Sequence, residues 1–288
     1  MPNPSQIAFA HAISRLLGWI YTLSWSISFY PQPWLNYKRK STIGSTVDFP
    51  TVNFLGFLCY AISTAALLFS PLIRYQYAAR HPLSPEPTIR ANDLAFALHA
   101  VVLSGFTYSQ FFCCGYRRER GGVSRPIAGI FFGSILAIVV TIIIVAVKDV
   151  DQRDKALLRQ GEWAWIDAIY AFGYAKLLIT IIKYMPQVRL NYLRQSTHGW
   201  SIAQILLDFV GGLLSLIQLI IDSSLQADWS GITGNPIKFG LSNVSMFFDI
   251  IFVFQHFVLY RQVHTQDRSK LDDDETSSLL HVPGETAQ

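Results

Sequence analysis

Residues 31–56 read PQPWLNYKRKSTIGSTVDFPTVNFLG, and residues 186–211 read PQVRLNYLRQSTHGWSIAQILLDFVG. A constant offset of 155 aligns the two without a gap. It pairs Pro31 with Pro186, Gln32 with Gln187, Asn36 with Asn191, Ser41 with Ser196 and Gly44 with Gly199, and sets Asn53 opposite Asp208. Each copy leaves one apolar run, passes through a basic loop and enters another. An internally duplicated membrane chain with polar residues facing each other across the repeat is the sequence signature of a carrier.

Outward from these loops, seven apolar segments lie near 10–31, 50–72, 92–114, 126–147, 163–185, 202–222 and 239–260. Each is long enough to cross a hydrocarbon core of about 30 Å, which takes about 20 helical residues. The expected fold is an all-α polytopic membrane protein of 3+1+3 design. One three-helix repeat covers 10–114, a linker helix covers 126–147, and a second repeat covers 163–260. A single linker helix gives the two repeats the same orientation, so they are parallel rather than inverted. A short N-terminus, 1–9, and a polar tail, 261–288, flank them.

Composition agrees. The chain is 51% hydrophobic and 15% charged, with a mean hydropathy of +0.31, against about a quarter charged residues in a soluble domain. Membrane lipid is therefore its solvent. A net charge of +4, spread over loops, makes nucleic acid an unsuitable partner. Cys59, Cys113 and Cys114 lie in or at the ends of apolar segments and suggest no disulfide framework. The first apolar stretch lacks a basic leader and a small-residue cleavage site, so it reads as a retained helix. With no metal-ligand cluster, cofactor motif or nucleophile–base arrangement in view, an enzyme is the least suitable class.

Lysine and arginine placement sets the orientation. Lys38, Arg39, Lys40, Arg117, Arg118, Arg120, Arg189 and Arg194 share one side with the tail, while the opposite loops mix signs. The tail is thus expected in the cytosol and the N-terminus in a lumen. The tail carries Glu275 and the Leu279–Leu280 pair behind Asp272, Asp273 and Asp274. That pattern resembles an acidic dileucine signal, read by clathrin-type sorting adaptors for delivery to lysosomes or vacuoles.

Ionisable residues inside spanning helices cost about 2.5–3.5 kcal/mol each on insertion scales and need a reason. Asp208 and Asp249 are the clearest: each sits among bulky apolar residues, with no basic residue at i±3 or i±4. Such carboxylates suit proton loading and release. Asp93 opens the third helix. Lys183 lies one turn before Gln187, and Lys176, two turns earlier, reads as a structural or snorkelling cation. His99 and His256 read as hydrogen-bonded core histidines. Pro31 and Pro186, each followed by glutamine (Gln32, Gln187), are expected to kink helices one and five and act as hinges.

These features together resemble the PQ-loop transporters, relatives of the sugar-carrying SWEET proteins, and within them the cystinosin branch of cystine/proton symporters. The resemblance rests on GWIYTLSWSISFYPQPWLNY, NDLAFALHAVVL, KYMPQVRLNYLRQSTHGWSIAQILLDFVGG and NPIKFGLSNVSMFFDIIFVFQHFVLYR, which run from Gly18 to Arg261. It implies alternating-access export of L-cystine with a proton from a lysosomal or vacuolar lumen, without a cofactor. It also implies that Asp208 and Asp249 serve the proton and the substrate ammonium groups, and that Asp93 is tied to coupling. Lys238 would face a substrate carboxylate, and Asn53, Lys183, Gln187 and Asn191 would line the path. Gln204 stands where the family has asparagine, one turn before Asp208. Cystine carries two ammonium and two carboxylate groups, which carboxylates, a lysine and amides would match. Two other readings fit the residues: an exporter of cationic amino acids such as lysine or arginine, and a non-transporting heptahelical receptor or trafficking protein.

Overall fold

Apolar runs in lipid find no water for their backbone groups, so they coil into helices that satisfy each N–H and C=O internally. The computed structural model describes residues 4–81, 87, 89, 91–118, 121–151, 162–225 and 236–261. Among them the chain is helical: α1 (Pro4–Ser28), α2 (Pro31–Arg39), α3 (Asp48–Phe69), α4 (Pro71–Arg80), α5 (Ala91–Ser109), α6 (Arg125–Asp151), α7 (Trp165–Ile182), α8 (Met185–Arg194), α9 (Ile202–Leu225) and α10 (Pro236–Phe254), which ends in a π-helical turn, Gln255–Leu259. No strand forms among the described residues; the Ser41–Arg117 bridge stands alone.

The longer helices α1, α3, α5, α6, α7, α9 and α10 fall on the seven apolar segments. The spans Asp48–Phe69, Arg125–Lys148 and Trp165–Arg194 are long and apolar enough to cross a membrane by length and composition, and Ile202–Gln218 and Asn243–Leu259 are shorter apolar stretches. The repeats meet through crossed pairs: α1 packs on α9, and α3 packs on α7. Within each repeat, α3 rests on α5 and α9 on α10. Helix α6 leans on α7 and α3 through Ile127 and Ile138, which join Val52, Leu55, Cys59 and Ile179 in one core cluster. Only 17% of its apolar window is buried, so the linker is mostly a lipid-facing strut.

At both prolines the helical path is interrupted, while Tyr30 (φ −82°, ψ −35°) and Tyr184 (φ −87°, ψ −23°) keep right-handed helical backbone. Helix α1 stops at Ser28 and α2 starts at Pro31; α7 stops at Ile182, and Pro186 sits in the first turn of α8. Proline has no N–H to give to the preceding turn, but its fixed φ is pre-set for a first helical turn. The result is a helix break with a fresh start, at equivalent places in both repeats.

After each break the chain repeats its path closely. Helices α2 and α8 end at Lys40 (φ 47°) and Gln195 (φ 50°), both left-handed, and Gly44 (φ 99°) and Gly199 (φ 93°) follow four residues on. Ser41 N–H donates to Asn36 C=O and Ser196 N–H to Asn191 C=O, each at 3.2 Å.

Candidate substrate cavity

The crossed helix pairs enclose a cavity of about 340 Å³. Its lining repeats the sequence offset: Tyr21/Lys176, Trp25/Thr180, Ser28/Lys183, Phe29/Tyr184, Phe49/Gln204 and Asn53/Asp208 all face it. Each residue pair stands at one position of the duplicated fold, but the chemistry differs. The second repeat supplies Lys176, Lys183 and Asp208. The first supplies aromatic and neutral groups, joined by Asp93 from α5.

The cations are held against aromatic faces. Lys176 Nζ lies 3.6 Å from the Phe57 ring centre, and Lys183 Nζ lies 4.4 Å from that of Tyr184 and 3.5 Å from Asn53 Oδ1. Asn53 in turn donates to Ser104 Oγ at 3.1 Å. Cation–π contact partly replaces the water that a buried ammonium loses. Lys176, read from sequence as a structural cation, is therefore part of the cavity wall.

Asp208 is gripped on one oxygen. Its Oδ2 accepts from Tyr184 O–H at 2.7 Å and from Ser245 Oγ–H at 2.8 Å, and the two hydroxyl oxygens lie 3.3 Å apart. Its backbone C=O accepts the Trp25 indole N–H at 3.1 Å, tying α9 to α1. Asp249, one turn beyond Ser245, is different. It has no solvent exposure and does not line the cavity, and among the described residues neither of its oxygens has a hydrogen-bond partner. It lies within electrostatic reach of Asp208 and Lys183.

The two ends of the cavity are unlike. Tyr77, His81, Pro87 and Ile89 line it, so it reaches the α4–α5 connection. Beside that end Arg80 pairs with Asp167 and donates to Glu162 C=O at 2.9 Å, joining α4 to α7. The PQ-loop end is shut by two crossed clasps. The Gln32 side chain donates to Gly199 C=O at 3.0 Å and accepts from Ser201 N–H at 2.8 Å. Gln187 likewise donates to Gly44 C=O at 3.0 Å and accepts from Thr46 N–H at 3.0 Å. Between them the glycines meet backbone to backbone. A Cβ on Gly44 would stand 2.1 Å from His198 O, and one on Gly199 would stand 2.3 Å from Ile43 O. Arg39 and Arg194, equivalent in the repeats, also come together here. Burial and then the nearby Arg194 charge hold the Arg39 guanidinium below its ordinary value.

Gln187 and Asn191 were expected along the path, yet neither lines the cavity; both are fully buried in this clasp. The asparagines extend it through two glutamines that the sequence reading did not single out. Gln32 donates to Asn36 (3.0 Å), Asn36 to Gln110 (2.8 Å) and Gln110 to Pro33 C=O (3.0 Å). In parallel, Gln187 donates to Asn191 (2.9 Å), Asn191 to Gln255 (3.0 Å) and Gln255 to Val188 C=O (3.1 Å).

Asn53, Asp93, Lys183, Gln204 and Asp208 are brought together in the wall, while Asp249 lies behind it. Lys238 sits on α10, with its side chain outside the described residues, as are Glu275, Leu279 and Leu280. His99 and His256 bond to Tyr30 and Thr197. Among the described residues no cluster of three or more His, Cys, Asp or Glu is placed to hold a metal.

Residues 13–73 and 168–228 each match the PQ loop repeat family, and the two clasps are built from the motif that names it. The chain is 41% identical over 259 residues to cystinosin of Drosophila melanogaster, and 37% identical over 271 residues to a cystinosin homolog of Arabidopsis thaliana. This chain belongs to the cystinosin family of PQ-loop proteins. The fly alignment covers 90% of this chain and 61% of the fly protein; the plant alignment covers 92% and 93%. A more distant relative, named a cystine transporter in Saccharomyces cerevisiae, is 28% identical over 88% of this chain and 96% of its own length. The cystinosin family is thus matched across both repeats, the cavity helices included.

Proposed function

We propose that this protein exports L-cystine from a lysosomal or vacuolar lumen to the cytosol, in symport with a proton, by alternating access. The observation that carries the reading is a cavity lined by charges of both signs, with one further carboxylate sealed behind it. Asp93 and Asp208 match the ammonium groups of cystine, and Lys176 and Lys183 match its carboxylates. A sugar needs no buried ion, and a cationic amino acid, with a single carboxylate, leaves one of the two wall lysines unmatched. The names of the fly and yeast relatives support the same substrate.

With the basic PQ-loop face in the cytosol, the cavity is open towards the lumen and shut towards the cytosol. Cystine enters from the luminal end. A proton taken from the acidic lumen neutralises a carboxylate and removes the cost of enclosing it. The luminal end then closes, the crossed Gln32 and Gln187 clasps part, and substrate leaves on the cytosolic side. The helix breaks at Pro31 and Pro186 serve as the hinges. The tail segment at Glu275, Leu279 and Leu280 delivers the protein to its membrane through sorting adaptors.

Whole-cell current tests this. With Leu279 and Leu280 changed to alanine, the protein is expected at the plasma membrane, where cystine in acidic medium evokes an inward current that vanishes in neutral medium. Surface protein with no cystine current defeats the proposal. Current evoked by lysine or arginine instead moves the substrate to the cationic amino acids, and silence with all three points to a receptor.

A further inference from the structure

Substrate and proton make conflicting demands on Asp208. To hold an ammonium group it has to be ionised, yet it is the acidic group that a proton from the cavity meets beside the sealed Asp249. One carboxylate cannot do both at once. Asp249 could store the proton while Asp208 holds substrate, but Asp249 has no exposure and no place in the cavity wall. A proton reaching it from the cavity has to be passed through something.

Two hydroxyls rest on Asp208, and neither is bonded to Asp249 in this arrangement, so a transfer needs one of them to turn. Tyr184 O–H and Ser245 Oγ–H both rest on Asp208 Oδ2, at 2.7 and 2.8 Å, and their oxygens lie 3.3 Å apart. Ser245 stands four residues before Asp249 on α10, so their side chains share a face, one turn apart. The Tyr184 ring is fixed by Phe49 (5.6 Å), Phe248 (5.4 Å) and Phe252 (5.8 Å), which leaves its hydroxyl little choice of partner. A serine hydroxyl turns about one bond and both donates and accepts.

We infer that the Ser245 hydroxyl, with Tyr184 steadying Asp208 beside it, hands the coupled proton from Asp208, in the cavity wall, to Asp249, sealed behind it. The inference rests on the proton-coupled reading above. The transfer balances as one proton. The carboxylic O–H of Asp208 breaks as a new O–H forms on Ser245 Oγ, and the original Ser245 O–H breaks as one forms on Asp249. Rotation of the hydroxyl resets the chain, while Tyr184 holds Asp208 Oδ2 in place. Asp208 is left ionised for the substrate ammonium, and Asp249 is left neutral. The charged groups around Asp249 fit this division: Asp208 on α9, with Lys183 and the Tyr184 phenol on α7. Lys183 favours ionised Asp208 once the proton has moved on.

The test uses the full chain, purified and reconstituted into proteoliposomes, with radiolabelled cystine and an internal pH dye read together. Loss of a positioned proton-transfer group costs about 10²–10⁴-fold, so Ser245→Ala is expected to lower proton-driven uptake by at least the smaller factor and to flatten its pH profile. Ser245→Thr, which keeps the hydroxyl, restores both. Tyr184→Phe acts in the same direction as Ser245→Ala. Cystine-induced thermal stabilisation reports that each variant is folded and binds. The relay is wrong if folded Ser245→Ala and Tyr184→Phe keep the parental pH profile and proton-to-cystine ratio. It is also wrong if Ser245→Thr fails to restore what alanine removes. Should the parent itself move cystine without protons, the failure lies in the coupled-transport reading instead.

Discussion

Gly44→Ala is expected to open the PQ-loop end of the cavity. The new Cβ would stand 2.1 Å from His198 O, where 3.4 Å is ordinary contact, so the loops have to part by about 1.3 Å. The positive φ of 99° adds strain, about 1–2 kcal/mol for a non-glycine residue. That strain is present whether the end is open or shut, provided the loop keeps its shape, so it lowers stability without choosing a state. Parting the loops is what chooses. It stretches the Gln187–Gly44 and Gln32–Gly199 hydrogen bonds, both now 3.0 Å, beyond useful range. Two neutral hydrogen bonds at about 0.5–1.5 kcal/mol each give about 1–3 kcal/mol against the shut state. That is a shift of about 5–150-fold in the open–shut equilibrium. Gln204→Cys, placed in the cavity wall with Cys113 and Cys114 changed to serine, reports the shift through a membrane-impermeant maleimide added to the PQ-loop face of sealed vesicles. Labelling is expected to speed up by that factor in Gly44→Ala and by a similar factor in Gly199→Ala, its counterpart. A folded Gly44→Ala protein that labels at the parental rate would refute the clasp as the closure of the PQ-loop end.

Three further outcomes follow from the same geometry. Gln110→Leu strands the buried Asn36 amide and Pro33 carbonyl, at about 1–3 kcal/mol for each orphaned group, so its thermal unfolding midpoint in detergent falls, and Gln255→Leu falls by a comparable amount. Asp249→Asn removes the sealed acid while keeping its shape, so cystine uptake loses its acceleration by an acidic lumen, and a retained pH response excludes Asp249 as the proton store. Lys176→Met takes a cation from the wall; losing one charge-assisted contact of about 1.5–3 kcal/mol raises KM for cystine by about 10–150-fold, with Lys176→Arg falling between the two.

The constant offset made the clasps partly legible. Both loops have the same length, so Pro31/Pro186, Gln32/Gln187 and Gly44/Gly199 stay in register from sequence to structure. Their partners were not legible, since a single chain does not say which loop faces which. Gln32, which follows the expected kink at Pro31, crosses to Gly199 and Ser201 of the other repeat. Gln110 and Gln255 were hidden by arithmetic. They lie 74 and 64 residues from their asparagines, so the offset of 155 that exposes every earlier pair misses this one by ten. Lys176 was misread for a different reason: its helix alone shows a cation two turns from Lys183, and only the Phe57 ring, supplied by α3, shows which way it points.

The duplicated scaffold and the unduplicated lining do separate work. The clasp side chains are the same in both repeats: Gln32 and Gln187, Asn36 and Asn191, Gly44 and Gly199. Equal clasps under a two-fold relation hold the PQ-loop end by matching bonds from both repeats. The lining breaks that equality where chemistry requires it. Tyr21 answers Lys176, Ser28 answers Lys183, and Asn53 answers Asp208. Mirrored charges would bring two Lys183 ammonium groups and two Asp208 carboxylates into one cavity of about 340 Å³, with like charges opposed. Placing Lys183 and Asp208 on one repeat and their neutral counterparts Ser28 and Asn53 on the other avoids that opposition and leaves Asn53 free to accept from Lys183 across the seam. It also puts Asp208, Tyr184, Ser245 and Asp249 all in the second repeat. In the proposed relay the proton then passes between the two carboxylates without crossing from one repeat to the other.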